Sequence, residues 1–296
     1  MLDQLISTVW ALHPTFHDRM AAIAVRRIQQ GLPPFEVSQD KKKPYVVGFE
    51  DDEDGVEPGI EIGAASYGYS RLVKAETESG SVVVLPMIGA ITRYGDLCSW
   101  GAEDYAQWIV EANQDKAVSA IVLEMNGPGG SVDGIEMLGE VVRSSEKPII
   151  AYVAGWAASA HFWIASQARG IMLESNTTTS VGSIGVLAVH VDASKFYEKE
   201  GFKVTIIRSD GSDDKARFND VEPLTDDLLA EIKAELQPIK ETFIAKVKAG
   251  RPGVDASVFS GKMYPGGEAI NLKLADRIGY LADSIAWANE LAQKVA

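Results

Sequence analysis

The chain has 296 residues, of which 46% are hydrophobic and 24% charged, the balance of an ordinary globular protein. Its formal charge of −14 excludes the basic stripe that a nucleic-acid groove needs and disfavours docking on anionic lipid. Cys98 is the only cysteine, which excludes internal disulfides and cysteine-rich zinc sites and makes a reducing compartment the default.

Residues 1–34 carry helical periodicity. Leu2, Ile6, Val9 and Trp10 share one face, and Met20, Ile23, Ala24 and Ile28 continue the pattern. Pro14 splits this stretch in two, and Gly31 with Pro33-Pro34 ends it. The first twenty residues do not read as a signal peptide, because Asp3 stands where cations are needed and His13, His17 and Asp18 break the apolar run. No run approaches the roughly 20 apolar residues that span a bilayer, so a cytoplasmic protein without a membrane anchor is expected. Residues 35–78 read as a charged linker, with Lys41-Lys42-Lys43 followed by the acidic run from Glu50 to Asp54 and by Gly55, Pro58 and Gly59.

Residues 79–296 form the main domain. Strands are predicted at 81–87, 120–125 and 148–153, with short ones at 170–174, 184–191 and 204–207. Helices are predicted at 104–113, 131–145, from Ser159 to about Ala168, 224–249 and 284–296. Strands alternating with helices imply an α/β fold with parallel pairing and crossover connections.

Three short segments could carry chemistry. Asn126-Gly127-Pro128-Gly129-Gly130-Ser131 joins a strand to a helix, and it is either a tight turn or a loop whose backbone N–H groups hold an oxyanion. The phosphate-loop and dinucleotide glycine patterns are absent, which argues against nucleotide binding. In GWAASAHFW, Ser159 follows a strand and opens a helix, so it is either a helix cap or a nucleophile. Ser183, in VGSIG, stands in a small-residue turn where it could orient a base. A serine nucleophile needs that base. His161 is two residues beyond Ser159 and faces elsewhere on a helix. His190, in VLAVHVDA, reads as a satisfied core or edge histidine, and His13 and His17 belong to the N-terminal region. Among the lysines, Lys215 sits in a polar loop, 209–220, and would have to lose its proton to act; a solvated surface lysine is the alternative there.

The order of these segments resembles the signal peptide peptidase A (protease IV) family of Ser/Lys peptidases over about residues 80–283. The segment from Gly261 to Gly279 resembles that family's closing element, with Tyr264, Gly266 and Ala269 ahead of Leu274, Asp276 and Gly279. The run from His190 to Lys195, with Gly201 and Val204, is similar to the phage and prophage branch, the capsid-maturation (prohead) proteases. So is Trp10-Ala11-Leu12-His13-Pro14.

The resemblance implies a ClpP/crotonase-like α/β spiral of strand-strand-helix units with a small helical N-terminal appendage. It places the nucleophile on Ser159, the general base on Lys215, the serine that contacts the base on Ser183, and oxyanion donors on the backbone of Gly129, Gly130 and Ser159. It implies an endopeptidase that needs no metal or cofactor, forms a homo-oligomeric ring or dome, and acts on peptide or protein substrates, capsid or scaffold proteins in the phage branch. A peptide-clearing cytoplasmic peptidase and an inactive capsid-assembly factor are the alternatives. A Ser-His-Asp peptidase fits less well, since position 184, where its histidine is expected, is Ile184. The chain departs from the pattern at four places: Gly127 where serine is usual, Ala160-His161 where two glycines follow the nucleophile, one extra residue before Lys215, and Ala216-Arg217-Phe218 in place of the Lys-x-Asp-Gly continuation.

Overall fold

Apolar residues run without a break through Ser81–Ile88, Val118–Gly127 and Ile149–Ala158, and the fold explains why. These are strands β4, β5 and β7, which pair in parallel at the centre of one sheet. In the computed structural model of the chain, residues 10–12, 23, 26–27, 29–30, 32, 41–52, 55–64, 80–95 and 99–295 are described. Successive side chains on a strand point to opposite faces. Val83, Leu85 and Met87, with Ile121, Leu123 and Met125, enter the larger core. Val82, Val84, Ala120, Val122, Ile150 and Tyr152 enter a second core on the other face. Both faces are covered, so no polar alternation survives. Each fully buried aliphatic side chain contributes about 1.5–3 kcal/mol.

Helices α1 (Ala102–Gln114), α2 (Ile135–Arg143) and α3 (Ala160–Ala165) supply the cover over the larger core. The second core is closed by α7 (Leu281–Val295), through Ile285, Trp287 and Ala288. Strand β7 forks. Its first half pairs with β8 (Gly170–Leu173) and its second half with β9 (Ser180–Gly182), both parallel. Antiparallel β10 (Met263–Pro265) closes the β9 edge, and β11 (Arg277–Ile278) lies parallel to β8. After β5 comes the short strand β6 (Gly129–Ser131) and then α2, a strand-strand-helix unit. The expected α/β architecture with a parallel core is thus the one adopted. The long helix α5 (Asp226–Gly250) is anchored by Phe243, fully buried and stacked on Trp163 of α3 with ring centroids 4.6 Å apart. Short helices α4 (Ser194–Lys199) and α6 (Gly266–Asn271) complete the described elements, with one 3₁₀ turn at Ala256–Ser260.

Three regions differ from expectation. Part of the stretch read as a linker is structured: β2 (Tyr45–Asp52) pairs antiparallel with β4 and with β3 (Gly55–Ala64). The lysine run before it stays largely exposed but makes specific contacts. Lys42 forms an ion pair with the buried Glu124 at 2.9 Å, and Lys41 lies over the Trp100 ring and bonds the Ser99 carbonyl. Trp10, expected on a helical face, lies in β1 (Trp10–Leu12), which joins the open edge of β6 antiparallel. The rest of that face, Leu2, Ile6 and Val9, lies outside the described residues, as do Cys98, His13 and His17, whereas Ile23, Arg26, Arg27 and Gln29 are helical. The strands expected at 184–191 and 204–207 do not form. Ile207 is 89% exposed, so the β-type residues there find no sheet edge to join within this chain. No helix among the described residues is long and apolar enough to cross a membrane.

Candidate active site

The C-terminal ends of β5, β7 and β9 bring the glycine loop, Ser159 and Ser183 together. Ala158 pairs with Gly182 across β7 and β9, so Ser159 and Ser183 follow side by side. Ser159 takes the N-cap position of α3, yet its side chain makes no cap hydrogen bond. Its backbone sits at φ 54°, ψ −113°. Such a conformation costs a non-glycine residue about 1–3 kcal/mol and persists only where the surroundings impose it. Here two backbone bonds do so: the Ser159 N–H donates to the Gly182 carbonyl at 2.8 Å, and the Ser159 carbonyl accepts from the Trp163 N–H at 2.8 Å. The hydroxyl is left to donate a long bond, 3.3 Å, to the Gly185 carbonyl. Capping therefore does not account for this serine.

Ser183 is also buried and also at positive φ, 54°. Its N–H donates to the Lys262 carbonyl at 2.8 Å. Ser183, Gly185 and Leu187 line a cavity of about 280 Å³ together with Lys240 of α5 and Ser260. Lys240 is a group that reading the sequence missed, since nothing in the periodicity of a long amphipathic helix marks one lysine as pointing toward the Ser183 turn.

In the glycine loop, Ile91 bridges β6. The Ile91 N–H donates to the Gly129 carbonyl and the Ser131 N–H donates to the Ile91 carbonyl, both at 3.0 Å. A side chain at Gly130 would start 1.7 Å from the Ile91 carbonyl oxygen, so only glycine fits. Along an extended strand, neighbouring residues offer their polar groups to opposite sides. With Gly129 C=O and Ser131 N–H turned to Ile91, the N–H and C=O of Gly130 face the other edge, where Ala11 of β1 is its register partner.

His161 is buried without exposure beneath this loop, and burial pulls its imidazole down from 6.5 to about 4. It makes no hydrogen bond to Ser159, in keeping with its exclusion as the base. His190 is satisfied, its Nε2 being 2.8 Å from the Asn219 carbonyl, though on an irregular segment and not a strand.

Lys215 is not brought to Ser159 within the single chain. It lies exposed, its N–H donates to the Ser212 carbonyl, and its own carbonyl accepts from Arg208. Its ammonium makes no hydrogen bond or ion pair with any described residue. The arm that carries it is tied down at its base, where Arg208 grips both carboxylate oxygens of Glu222 at 3.0 and 2.6 Å and Arg217 reaches Asp227 and Glu231 of α5, each at 2.6 Å. Among the described residues no group of three His, Cys, Asp or Glu side chains converges as metal ligands would.

The parallel α/β sheet thus ends in a strained, uncapped serine flanked by a glycine-rich loop and the Ser183 turn. Residues 142–295, just over half of the chain, match the profile of peptidase family S49, and the chain belongs to that family. It is 29% identical over 238 residues to Protease 4 of Salmonella typhi, covering 77% of this chain and 37% of that protein. It is also 29% identical over 227 residues to Capsid assembly protease C of Escherichia phage lambda, covering 73% of this chain and 50% of that one. Among solved structures, the 1510-N membrane-bound stomatin-specific protease in complex with a substrate peptide aligns with 19% identity and a TM-score of 0.40, over 66% of this chain and 74% of that one. The chain thus spans between a third and a half of the length of these curated relatives.

Proposed function

We propose that the chain is a serine endopeptidase in which Ser159 is the nucleophile and Lys215 the general base. The observation that carries this reading is the Ser159 backbone, held at φ 54° between the glycine loop and the Ser183 turn with its hydroxyl free of any cap. Neutral Lys215, oriented by Ser183, would take the hydroxyl proton as Ser159 attacks a peptide carbonyl, and water would later release the acyl group. Of the expected oxyanion donors, the Gly130 N–H is best placed, because it faces away from the Ile91 bridge. The Gly129–Gly130 peptide supplies that donor, whereas the Ser159 N–H is engaged by Gly182 and would have to be released to join it. The outer edge of β6 accepts an antiparallel strand, as β1 does here, so substrate would bind as an added strand after displacing β1.

Delivery of Lys215 requires the arm 186–222 to close on the sheet, and assembly of several copies would favour that closure. Phe196, Phe202, Val204 and Ile207 are exposed apolar side chains on the arm that a homo-oligomer would cover. A second reading of the base follows from the cavity beside Ser183. Lys240 already lines it and is half-buried, so Lys240 is the alternative proton acceptor.

The similarity to Capsid assembly protease C supports capsid or scaffold protein as the substrate, cut in the cytoplasm or inside the procapsid. Peptide clearance is the alternative supported by similarity to Protease 4. The decisive experiment is covalent labelling by a fluorophosphonate. Labelling that maps to Ser159 and vanishes in Ser159→Ala, together with a fall in peptide cleavage of about 10⁴-fold or more, is expected. A well-folded protein that takes no label is instead an assembly factor without catalysis.

A further inference from the structure

Strand β1 lies on the edge of β6 that a substrate strand would use. The bridge from Ile91 takes up the Gly129 carbonyl and the Ser131 N–H, so the N–H and C=O of Gly130 face Ala11. Ala11 and Gly130 are therefore the hydrogen-bonded pair of this antiparallel ladder, the pair that exchanges both main-chain bonds. It follows that the Ala11 carbonyl accepts from the Gly130 N–H, the donor best placed for an oxyanion. On either side, Trp10–Ser131 and Leu12–Gly129 are non-hydrogen-bonded pairs. Strand β6 in turn packs against α3, the helix that Ser159 opens.

This strand is unlike those that build the core. The ladder between β4 and β5 runs the full length of β4, from Ser81 to Ile88, whereas β1 offers only Trp10 to Leu12. It forms with β6 a two-stranded sheet separate from the nine-stranded one. A two-stranded ribbon is marginal in water by itself. What favours this one is the tether: β1 belongs to the same chain, so its local concentration at β6 is high without any strong contact. A strand held in this way yields to a peptide that makes the same main-chain bonds and adds more of its own.

We propose that β1 is an internal blocker of the substrate groove: Ala11 imitates the substrate residue whose carbonyl faces the oxyanion donor, and peptide enters only the molecules that β1 has left. This rests on the serine-peptidase reading and deepens it, because it names the competitor and the position it takes. Blocking of this kind acts through occupancy. It raises KM by the inverse of the open fraction and leaves kcat unchanged, since saturating peptide displaces the strand.

The test releases the strand in one set of full-length variants and locks it in another, each first checked for cooperative thermal unfolding. Ala11→Pro removes the N–H that the Gly130 carbonyl accepts. It should lower KM for a peptide ester by about 10-fold with kcat within about twofold, and speed fluorophosphonate labelling of Ser159 by a similar factor. Leu12→Pro removes an N–H that points away from β6, a place where an edge strand tolerates proline, and should behave as the parent does. For the lock, Trp10→Cys and Ser131→Cys are combined with Cys98→Ser. The two new cysteines stand opposite each other in a non-hydrogen-bonded pair, with Cα atoms about 4.5 Å apart, within a disulfide's span. Oxidation should lower kcat/KM on the order of 100-fold, and dithiothreitol should restore it in the same sample. Because the lock is read within one protein, it answers the question even where Ala11→Pro does not fold. An unchanged KM in folded Ala11→Pro, an equal gain in Leu12→Pro, a cysteine pair that does not close under oxidant, or equal activity of the locked and reduced forms would each overturn the proposal. So would release of a fragment ending at Ala11, since a strand that is cut is a substrate and not a blocker. Failure of the parent reading looks different: Ser159 would take no fluorophosphonate even in the reduced pair and in Ala11→Pro.

Discussion

The sheet that carries Ser159 and the arm that carries Lys215 are built in opposite ways. Around Ser159, both neighbouring strands are buried on two faces, and every turn is pinned by backbone hydrogen bonds to a neighbouring segment. Between 200 and 217 the chain has no regular element, most of it is exposed, and its anchors are ion pairs at its base. A nucleophile must be held in a strained geometry, which takes a rigid frame. A lysine base must shed its proton when the site is dry, and a segment that packs only in the assembled or substrate-bound state can supply that desolvation on demand. The contrast teaches that the two halves of the proposed dyad are set by different physics, one by packing within the chain and one by closure upon it.

The largest expected effect breaks the comparison directly. If the arm delivers the base, Lys215→Ala should lower fluorophosphonate labelling and peptide cleavage by about 10²–10⁴-fold, while Lys240→Ala changes them by no more than a few-fold. The reverse ranking would place the base on the rigid side, in the cavity beside Ser183, and leave the arm a covering role. Next comes the rigid half itself. Phe243→Ala removes the ring stacked on Trp163 behind the helix that Ser159 opens and should cost about 3–5 kcal/mol in denaturant unfolding. An unchanged midpoint would mean that α5 does not brace α3.

A third effect concerns pH. The His161 imidazole is drawn down to about 4 in the fold, whereas in the unfolded chain it titrates near 6.5. As pH falls below 6.5 the unfolded chain takes up a proton that the folded chain refuses, so stability is complete above that pH and declines toward 4. The gap corresponds to about 3 kcal/mol at the acid limit. Chemical denaturation between pH 7 and 4 should show this slope in the parent and not in His161→Phe; equal slopes would mean that the ring gains a proton without leaving its pocket.

How much of this was legible in the sequence follows the same division. The strands beginning at Ser81, Val118 and Ile149 are visible because burial on two faces leaves continuous apolar runs, and Gly130 of the glycine loop is visible because no other residue fits beside Ile91. Ser159 was ambiguous from its own segment, and its φ of 54° is a property of the packed turn that no local propensity encodes. The hairpin of β2 and β3 was hidden because its charges suggested a linker, while its pairing depends on the distant edge of β4. Val204–Ile207 misled in the other direction: it has strand-forming residues and no strand to join. Where the partner strand is remote or missing from the sheet, composition misstates the outcome.

The smallest effect probes the arm alone. Arg208 holds the Glu222 carboxyl down to about 2, so the pair is charged at any working pH, but it is only partly buried, on the arm, and adds little to global stability. Glu222→Gln should therefore leave the unfolding midpoint nearly unchanged. It should nevertheless loosen the segment that Arg208 ties to the Lys215 carbonyl, and dilute trypsin should cut after Arg208 or Lys215 several-fold faster than in the parent, with the sheet left intact. Raising the protein concentration should slow that cleavage if assembly buries Phe202 and Ile207, because a covered arm is no longer open to the protease. Cleavage that is slow at every concentration, and equally slow in Glu222→Gln, would show the arm to be as firmly packed as the sheet and would remove closure as the way the base is delivered.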